Sequence, residues 1–304
     1  MSHTVLSLDT RASSVSYGDS GKPRMGFFTD TSICIGCKAC EVACKEWNQV
    51  PDSPGGFSGK SYDNTLALGA DTWRHVAFIE QRKPLGADAA AEDFVQAAER
   101  ANAADGWGLQ TYQEGDGVRW LMSSDVCKHC TTAACLDVCP TGALFRTEFG
   151  TVVVQPDVCN GCGYCVPACP FGVIDRREDD GRAWKCTLCY DRLRDDMEPA
   201  CAHACPTKSI QFGELDDLRE RAEQRLARLT EAGQTEARLY GADPDNGVDG
   251  FGAFFLLLDE PEVYGLPPDP VATTHHVGQV WTGVLAGAAA LGAGIAAAVF
   301  GGRR

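Results

Sequence analysis

The stretch SICIGCKACEVACKEWN, residues 32–48, places four cysteines within eleven positions: Cys34, Cys37, Cys40 and Cys44. The spacing is C-x2-C-x2-C-x3-C, and little else in the stretch could coordinate a metal. Thiolates are soft ligands that select zinc, copper(I) or iron–sulfur clusters. Three of them in one short loop, with a fourth close behind, predict a metal-binding loop.

The same arrangement occurs three more times, and no cysteine of the sixteen lies outside a set of four. The third set repeats the spacing of the first, whereas one gap is wider in the second set and wider still in the fourth. The second set is Cys127, Cys130, Cys135 and Cys139; the third is Cys159, Cys162, Cys165 and Cys169; the fourth is Cys186, Cys189, Cys201 and Cys205.

Two ordinary explanations compete with iron–sulfur binding. Disulfides are a poor choice because cysteines two residues apart in overlapping runs pair badly, and the chain is larger than typical disulfide-stapled scaffolds. Zinc sites use two C-x2-C pairs separated by a spacer, rather than three thiolates from one loop. The spacing of the first and third sets is instead that of bacterial ferredoxins, which hold cubane [4Fe-4S] clusters.

In two-cluster ferredoxins, the fourth cysteine of each run binds the cluster of the other run. The second and third sets are close enough in sequence to form such a unit together. The first and fourth sets would then form another one around it. Spacing alone leaves open a sequential arrangement, in which neighbouring sets pair along the chain.

The length and charge of the chain limit which functions it can have. The chain has 304 residues, 44% of them hydrophobic, and a formal net charge of −15. Nucleic-acid binding depends on clustered Lys and Arg, so this acidity argues against a nucleic-acid partner. No P-loop, dinucleotide-binding or G-x-S-x-G motif is present, so no catalytic residues are predicted on this chain.

Local patterns predict several elements between the cysteine sets. TWRHVAFIE at 72–80 and FGAFFLLLD at 251–259 read as strands, and ALFRTEFGTVVVQPD at 143–157 reads as a hairpin with a glycine turn. Residues 214–230 predict an amphipathic helix with one apolar face. That face consists of Leu215, Leu218, Ala222, Leu226 and Leu229.

The domain organisation follows from these patterns. We predict an extended N-terminal arm at 1–25 and a four-cluster α+β domain at 26–270. Within that domain, 126–170 form an inner unit and 26–83 with 184–213 form an outer unit. The Ala-rich, charged residues 84–117 are predicted to be an insertion.

The C-terminal segment 277–300 has 24 residues without a charge. At about 1.5 Å per residue, such a helix exceeds the roughly 30 Å hydrocarbon core of a bilayer. A buried helix of a soluble protein is the competing interpretation. Gly283 and Gly287 form a G-x-x-x-G pair, which favours close packing against another membrane helix.

Arg303 and Arg304 follow this segment, whereas the residues just before it are acidic or neutral. Because Lys and Arg are enriched in cytoplasmic flanks, we expect a single-pass protein of the cell membrane with a cytoplasmic C-terminus and an extracytoplasmic cluster domain. The N-terminal stretch MSHTVLSLDTRASS lacks the pattern of a secretory signal.

Three stretches carry a resemblance to a known family: CIGCKACEVACKEWN at 34–48, CNGCGYCVPACPFGV at 159–173 and WKCTLCYDRLRDDMEPACAHACPTKSI at 184–210. They resemble the four-cluster, ferredoxin-like electron-transfer subunits of molybdopterin oxidoreductases, and most closely the iron–sulfur (β) subunit of membrane-bound formate dehydrogenase. The resemblance covers the cysteine regions, the 72–80 strand, the 247–270 segment and the terminal span. The long 84–117 region and the short tail after the span depart from the family pattern.

The resemblance implies two ferredoxin-like units with nested pairing of the sets, and hence four [4Fe-4S] clusters. Cluster 1 would be held by Cys34, Cys37, Cys40 and Cys205; cluster 2 by Cys186, Cys189, Cys201 and Cys44; cluster 3 by Cys127, Cys130, Cys135 and Cys169; and cluster 4 by Cys159, Cys162, Cys165 and Cys139. Lys38, Lys128 and Lys185 lie beside these ligands, where a positive charge would raise the cluster potential.

The function implied by the resemblance is electron relay in anaerobic respiration. A partner subunit with a molybdenum or tungsten pterin would oxidise formate, and a cytochrome b subunit in the lipid bilayer would pass the electrons to quinone. This chain would be a non-catalytic subunit of that enzyme complex. The alternatives are the equivalent subunit of another molybdopterin oxidoreductase or of a membrane hydrogenase, and, in a different class, a zinc-stabilised membrane scaffold.

Overall fold

The computed structural model describes residues 22–52, 57, 59, 62–65, 67–81 and 119–300. Its strands are β1 (Met25–Asp30), β2 (Arg74–Gln81), β3 (Arg119–Val126), β4 (Leu144–Arg146), β5 (Val152–Val154), β6 (Asp175–Arg176), β7 (Ala183–Trp184), β8 (Ile210–Glu214), β9 (Arg238–Tyr240) and β10 (Ala253–Leu257). Its α-helices are α1 (Ala39–Asn48), α2 (Ala134–Asp137), α3 (Cys165–Ala168), α4 (Tyr190–Arg194), α5 (Ala200–His203), α6 (Leu215–Glu231) and α7 (Val277–Phe300). Two short 3-10 helices cover Thr31–Ile33 and Pro261–Tyr264.

A four-stranded mixed sheet lies at the centre, in the order β8-β1-β10-β9. β1 runs parallel to β10 and antiparallel to β8, and β9 runs antiparallel to β10. All five residues of β10 are buried, as the continuous apolar run AFFLL requires. Phe28 of β1 stacks on Phe254 of β10 with ring centroids 5.3 Å apart. This confirms the buried strand predicted at 251–259.

A long two-stranded ribbon, β2 with β3, is separate from that sheet. The strands are antiparallel, in a register that pairs Arg74 with Val126 and Gln81 with Arg119. The prediction of a strand at 72–80 is confirmed. Because β2 contacts α1, the ribbon lies alongside the helix that carries Cys40 and Cys44.

A short hairpin, β4 with β5, follows the second cysteine set. Gly150 stands in its turn with a φ of 73°, in the left-handed region that glycine tolerates without strain. The hairpin prediction for 143–157 is therefore confirmed. Its side chains help to form a second, smaller apolar core, which also includes Leu136, Ile174 and Cys165.

Helix α6 packs on β1 and β8 and confirms the amphipathic helix predicted at 214–230. Four of the five predicted face residues are buried, while Leu226 is half-buried. Arg225 is buried on the same side and donates from Nε to Asp30 at 2.9 Å. The helix thus buries an ion pair that the apolar pattern did not predict.

Helix α7 spans 24 residues with a mean hydropathy of 2.0 and is exposed along its whole length. A core helix of a soluble domain would be buried against its own fold, and α7 is not. In the part of the chain that the structure describes, α7 is the one helix long and apolar enough to cross a membrane.

Some predictions fall on other parts of the chain. The 84–117 insertion and Arg303 and Arg304 lie outside the described residues, and so do residues 1–21 of the predicted arm. The last residues of the arm are described: Arg24 donates to the Thr131 hydroxyl at 2.6 Å and to the His129 carbonyl at 3.0 Å. This part of the arm therefore lies over the second cysteine set.

Candidate metal centres

The four cysteine sets share one internal geometry. In each set the first two cysteines are three positions apart and the last two are four positions apart. The residue just before the second cysteine is left-handed in every set: Gly36 (φ 65°), His129 (φ 44°), Gly161 (φ 73°) and Leu188 (φ 56°). Because bulky residues such as Leu avoid this conformation, its fourfold recurrence indicates a loop shape required by function.

A short helix presents the third cysteine of each set. Cys40 lies in α1, Cys135 in α2, Cys165 in α3 and Cys201 in α5. The fourth cysteine follows four positions later: Cys44 lies in the same helix as Cys40, whereas in the other three sets the fourth cysteine lies just past the end of the helix. In α1 both Cys40 and Cys44 are buried.

These helices pack in two pairs, and the pairs join distant cysteine sets. Helix α1 packs against α5, which brings the first set beside the fourth. Helix α2 packs against α3, which brings the second set beside the third. The inner pair is adjacent in sequence and the outer pair encloses it.

Contacts to individual sulfur atoms link the first and fourth sets. The amide of Asn48, at the end of α1, lies 3.7 Å from the Sγ of Cys44 and 3.7 Å from the Sγ of Cys189. Burial raises the pKa of the Cys44 thiol well above its ordinary value, and the nearby thiols of Cys186, Cys201 and Cys189 raise it further. Cys44 therefore lies among three cysteines of the fourth set.

The surroundings of Cys34 also link the first set to the fourth. Burial raises the pKa of its thiol to about 11, against a hydrogen bond from the Gly36 amide that lowers it. The thiols of Cys205 and Cys37 contribute to the increase. The last cysteine of the fourth set therefore lies near the first two cysteines of the first set.

A cavity joins the second and third sets. Three cysteines of the second set line it together with Cys169, the last cysteine of the third set. Its other walls include His129, Phe171 and Lys185. Cys165 of the third set lies in turn near Cys139 of the second set. Burial raises the pKa of the Cys165 thiol to about 11, and the thiols of Cys159, Cys139 and Cys162 raise it further.

Burial is the main influence on most of these thiols. It raises the pKa of both Cys40 and Cys186 to about 12. Cys139 differs. Partial burial raises the pKa of its thiol, but hydrogen bonds outweigh this effect and lower the pKa below its ordinary value. The donors are the backbone amides of Leu144, Thr141 and Ala143 and the Thr141 hydroxyl. Cluster binding must therefore displace protons that burial favours on most of these thiols, whereas the hydrogen bonds to Cys139 favour loss of its proton.

The residues present fit iron–sulfur clusters better than the competing explanations. All sixteen cysteines are free thiols, which excludes a disulfide framework. Structural zinc sites use two C-x2-C pairs separated by a spacer, whereas the first and third sets place three cysteines in one short loop. Sixteen soft thiols, most of them buried, match the four ligands that each of four cubane clusters needs.

The three lysines singled out in the sequence differ in their surroundings. Lys38 bridges Glu41 and Asp63, and Lys128 pairs with Asp125, so carboxylates offset both charges. Lys185 donates instead to the carbonyls of Val152 and Cys186. Burial lowers its pKa, but the thiols of Cys127, Cys135 and Cys186 outweigh that effect and raise the pKa above its ordinary value.

Sequence reasoning missed two polar residues at the sulfur atoms. Arg74 of β2 donates from Nη2 to the Sγ of Cys201 at 3.3 Å, and the Ser124 hydroxyl of β3 lies 3.3 Å from the Sγ of Cys40. Both residues are buried. Nothing in the local sequence marks them, because the pairing of β2 with β3 and the packing of the ribbon on α1 bring them there.

Comparison with known families supports this chemistry. Two models described as "4Fe-4S dicluster domain" match residues 33–143 and 118–215. Together these matches include all four cysteine sets, and the sixteen cysteines fit four [4Fe-4S] clusters.

Curated relatives agree with the domain matches. The chain is 38% identical over 275 residues to the nitrate-inducible formate dehydrogenase iron-sulfur subunit of Escherichia coli (strain K12), covering 89% of this chain and 81% of that protein. It is 38% identical over 245 residues to the formate dehydrogenase iron-sulfur subunit of Haemophilus influenzae, covering 79% and 68%. It is 34% identical over 202 residues to a subunit of the anaerobic dimethyl sulfoxide reductase of E. coli, covering 64% and 76%. The cysteine sets, and the similarity over most of the length, show that this protein belongs to the family of formate dehydrogenase iron-sulfur subunits.

Proposed function

We propose that this chain relays electrons from a molybdopterin formate dehydrogenase subunit to a cytochrome b subunit in the membrane, and from there to quinone. One observation carries this proposal. Four sets of four free cysteines lie in a single fold that also bears an exposed apolar helix. The family relation supports formate as the substrate of the partner. When bound, [4Fe-4S] clusters supply one-electron redox centres.

We propose the nested pairing of ligands, with clusters 1 to 4 held as the family resemblance implies. The packing of α1 against α5 and of α2 against α3 supports it, because sequential pairing would need the first set beside the second. The shared contact of Asn48 with Cys44 and Cys189 supports cluster 2. The cavity lined by Cys127, Cys130, Cys135 and Cys169 supports cluster 3.

The order of the sites along the relay is supported by side chains that face two sites at once. Arg74 faces thiols assigned to clusters 1 and 2, namely Cys40 and Cys201. Lys185 faces Cys186 of cluster 2 and Cys127 of cluster 3. Ligands of clusters 3 and 4 line the second apolar core together. These neighbours favour the order 1, 2, 3, 4.

Each of the two sites at the ends of this series has an exposed cysteine. Cys37, assigned to cluster 1, and Cys162, assigned to cluster 4, are the exposed cysteines, whereas all four ligands assigned to cluster 2 are buried. The chain approaches α7 beside the inner unit: the Thr274 hydroxyl donates to Asp137 at 2.6 Å and that of Thr273 to the Ala168 carbonyl at 3.4 Å. We therefore assign the Cys162 end to the membrane partner and the Cys37 end to the catalytic partner.

This chain's residues serve mainly to bind and insulate. Buried thiols and apolar neighbours such as Leu188 and Ile174 exclude water from the buried sites, and a water-poor site strengthens every charge interaction within it. Backbone amides orient the sulfur atoms: the Leu188 amide donates to Cys186 at 3.3 Å and the Ala183 amide to Cys159 at 3.4 Å. Such hydrogen bonds tune the potential of a cluster.

Iron counting in paired variants tests the nested ligand assignment. The anaerobic wild-type protein should contain about sixteen irons, at four per cluster. If Cys44 and Cys186 serve the same cluster, the double Cys44→Ser, Cys186→Ser variant should lose about four irons, as each single variant does. The control double variant Cys34→Ser, Cys186→Ser should lose about eight. Equal losses in the two double variants would overturn the assignment.

The electron-transfer proposal is tested on the whole complex, purified without oxygen. Formate should reduce the clusters, giving a paramagnetic signal that the same preparation lacks before formate is added. The relation to the dimethyl sulfoxide reductase subunit makes a second oxidoreductase partner the specific alternative. Reoxidation of dithionite-reduced clusters by dimethyl sulfoxide, with no response to formate, would favour that alternative.

The side of the membrane is also a proposal: the C-terminus lies in the cytoplasm and the cluster domain lies outside. It rests on the absence of Lys and Arg in the segment 260–276 before α7 and on the two arginines after it. Protease added to spheroplasts should degrade the cluster domain. A domain protected until the cells are lysed would reverse the orientation.

A further inference from the structure

The buried Arg74 stands between the first and the fourth cysteine sets, which are far apart in the sequence. It lies on β2 and is 2% exposed. Its Nη2 donates to the Sγ of Cys201 at 3.3 Å. Its Nη1 donates to both the carbonyl and the hydroxyl oxygen of Ser124, each at 3.2 Å. One guanidinium therefore contacts a cysteine sulfur directly and a serine that reaches a second one.

Ser124 extends this contact to the first set. Its hydroxyl oxygen lies 3.3 Å from the Sγ of Cys40. Because Arg74 donates to that oxygen, the single hydroxyl hydrogen is available for the sulfur of Cys40. Arg74, Ser124 and Cys40 thus form a chain of hydrogen bonds in which each donor polarises the next.

The charge of Arg74 is directed at sulfur. Among the described residues, its hydrogen-bond partners are Ser124 and Cys201, and no carboxylate forms an ion pair with it. Phe27 covers the guanidinium at 5.0 Å from the ring centroid. Burial acts to lower the pKa of Arg74, but the thiols of Cys201, Cys40, Cys186 and Cys44 outweigh it and raise the pKa. An isolated buried cation is unfavourable, so the site requires negative charge on these sulfur atoms.

We propose that Arg74 is a positioning and tuning residue shared by two adjacent iron–sulfur clusters, those that contain Cys40 and Cys201, and that it raises the reduction potential of both. This inference rests on the proposed presence of the clusters. Each reduction adds one negative charge to a cluster, and a buried cation at hydrogen-bond distance from a ligand stabilises that added charge. Because the same cation faces both clusters, its removal should shift both potentials in the same direction.

The test is a redox titration of the intact complex, followed by the paramagnetic signals of the four clusters. The Arg74→Gln variant should lower the midpoint potentials of two clusters and leave the other two unchanged. We expect at least a tenfold fall in the reduced-to-oxidised ratio at a fixed potential, which is about 59 mV for a one-electron couple. Arg74→Lys keeps the charge and should retain most of both potentials.

Two further variants sharpen the assignment. Ser124→Ala removes the link to Cys40 and should lower the potential of one cluster only. Arg238→Gln removes the same charge from an exposed ion pair with Glu260 and should change none of the four potentials. A shift of all four in Arg238→Gln would show that net charge, and not the position of Arg74, controls them.

The outcomes separate this inference from the proposed function. A wild-type complex without four clusters would overturn the proposed function before any variant is compared. Four clusters with unchanged potentials in Arg74→Gln would overturn this inference alone. If both Arg74→Gln and Arg74→Lys lose iron, Arg74 is required for assembly and the tuning role is refuted. If only Arg74→Gln loses iron, unchanged potentials in Arg74→Lys support the requirement for the charge.

Discussion

At the scale of single residues, the loops between the first two cysteines of each set depend on backbone conformation as much as on sulfur. Gly161 shows this most clearly. It has a φ of 73°, and a Cβ added there would lie 2.6 Å from the carbonyl oxygen of Gly181. The position therefore excludes every side chain, both by conformation and by space.

We predict that Gly161→Ala destabilises the protein and releases iron from the site of the third set. The left-handed conformation costs about 1–2 kcal/mol for alanine, and the overlap with the Gly181 carbonyl adds about 1–3 kcal/mol. Gly265→Ala is the matched control, because Gly265 has a φ of 72° and open space around its Cβ. Urea unfolding and iron content measure the difference. Equal destabilisation by the two variants would contradict the steric explanation.

A buried ion pair fixes the far end of the β2–β3 ribbon. Arg119 pairs with Asp259 and Glu236, and the Arg119 and Asp259 side chains are only 3% and 8% exposed. We predict that Arg119→Gln lowers the free energy of unfolding by about 3–5 kcal/mol, because Asp259 is left as an uncompensated buried charge. The exposed pair of Arg238 with Glu260 should contribute only about 0–1 kcal/mol. Chemical denaturation of Arg119→Gln and Arg238→Gln compares them directly, and similar losses would refute the ranking.

At the scale of elements, helices far too short to be stable alone are held by the pairs they form. Helices α2, α3 and α5 have four residues each. Isolated helices of that length do not persist in water. Each one packs against the helix of another set, so the same contacts that stabilise the helices also bring the cysteines together. Helix formation and site formation are therefore one event.

Helix α6 allows a quantitative test of an element that the sequence predicted well. Leu218 is fully buried and Leu226 is half-buried, although the apolar pattern placed both on the same face. We predict that Leu218→Ala destabilises the protein by about 2–5 kcal/mol, as truncations of buried leucines do. Leu226→Ala should have a clearly smaller effect. Thermal unfolding of the two variants is the measurement, and an equal effect would contradict the burial seen here.

At the scale of the whole molecule, periodicity and cysteine spacing predicted the local elements and the kind of metal site. The β4–β5 hairpin, the β2 strand, α6 and α7 are signalled by residues within each element. Arg74 and Ser124 are not, because their role arises only when β2 pairs with β3 beside α1. Long-range packing, which places residues from separate segments around one sulfur atom, is what local patterns do not contain.

Removal of iron should make the stability of the whole domain depend on pH. In the folded apoprotein, burial raises the pKa of Cys40 and Cys186 to about 12, above their ordinary value of 9.0. The unfolded chain therefore loses these protons first, so stability is full below about pH 9 and falls as the pH rises towards the folded-state values. We predict a falling urea midpoint for the apoprotein between pH 8 and pH 10, roughly the range around the ordinary thiol pKa. The iron-loaded protein, whose ligands carry no protons, should show no such fall, and parallel curves would contradict the argument.

The membrane attachment of the molecule is predicted to reside in α7 alone. A 24-residue helix extends about 36 Å, enough to cross the roughly 30 Å hydrocarbon core. Deletion of residues 277–304 should therefore release a protein that keeps its iron but no longer sediments with membranes.

Gly283, Gly287 and Gly294 share one helix face, so Gly283→Leu with Gly287→Leu should weaken copurification with the membrane partner while the protein stays in the bilayer. Gly292→Leu lies on the opposite face and is the control. Loss of the partner in Gly292→Leu, or its retention in the double variant, would show that this glycine face is not the contact.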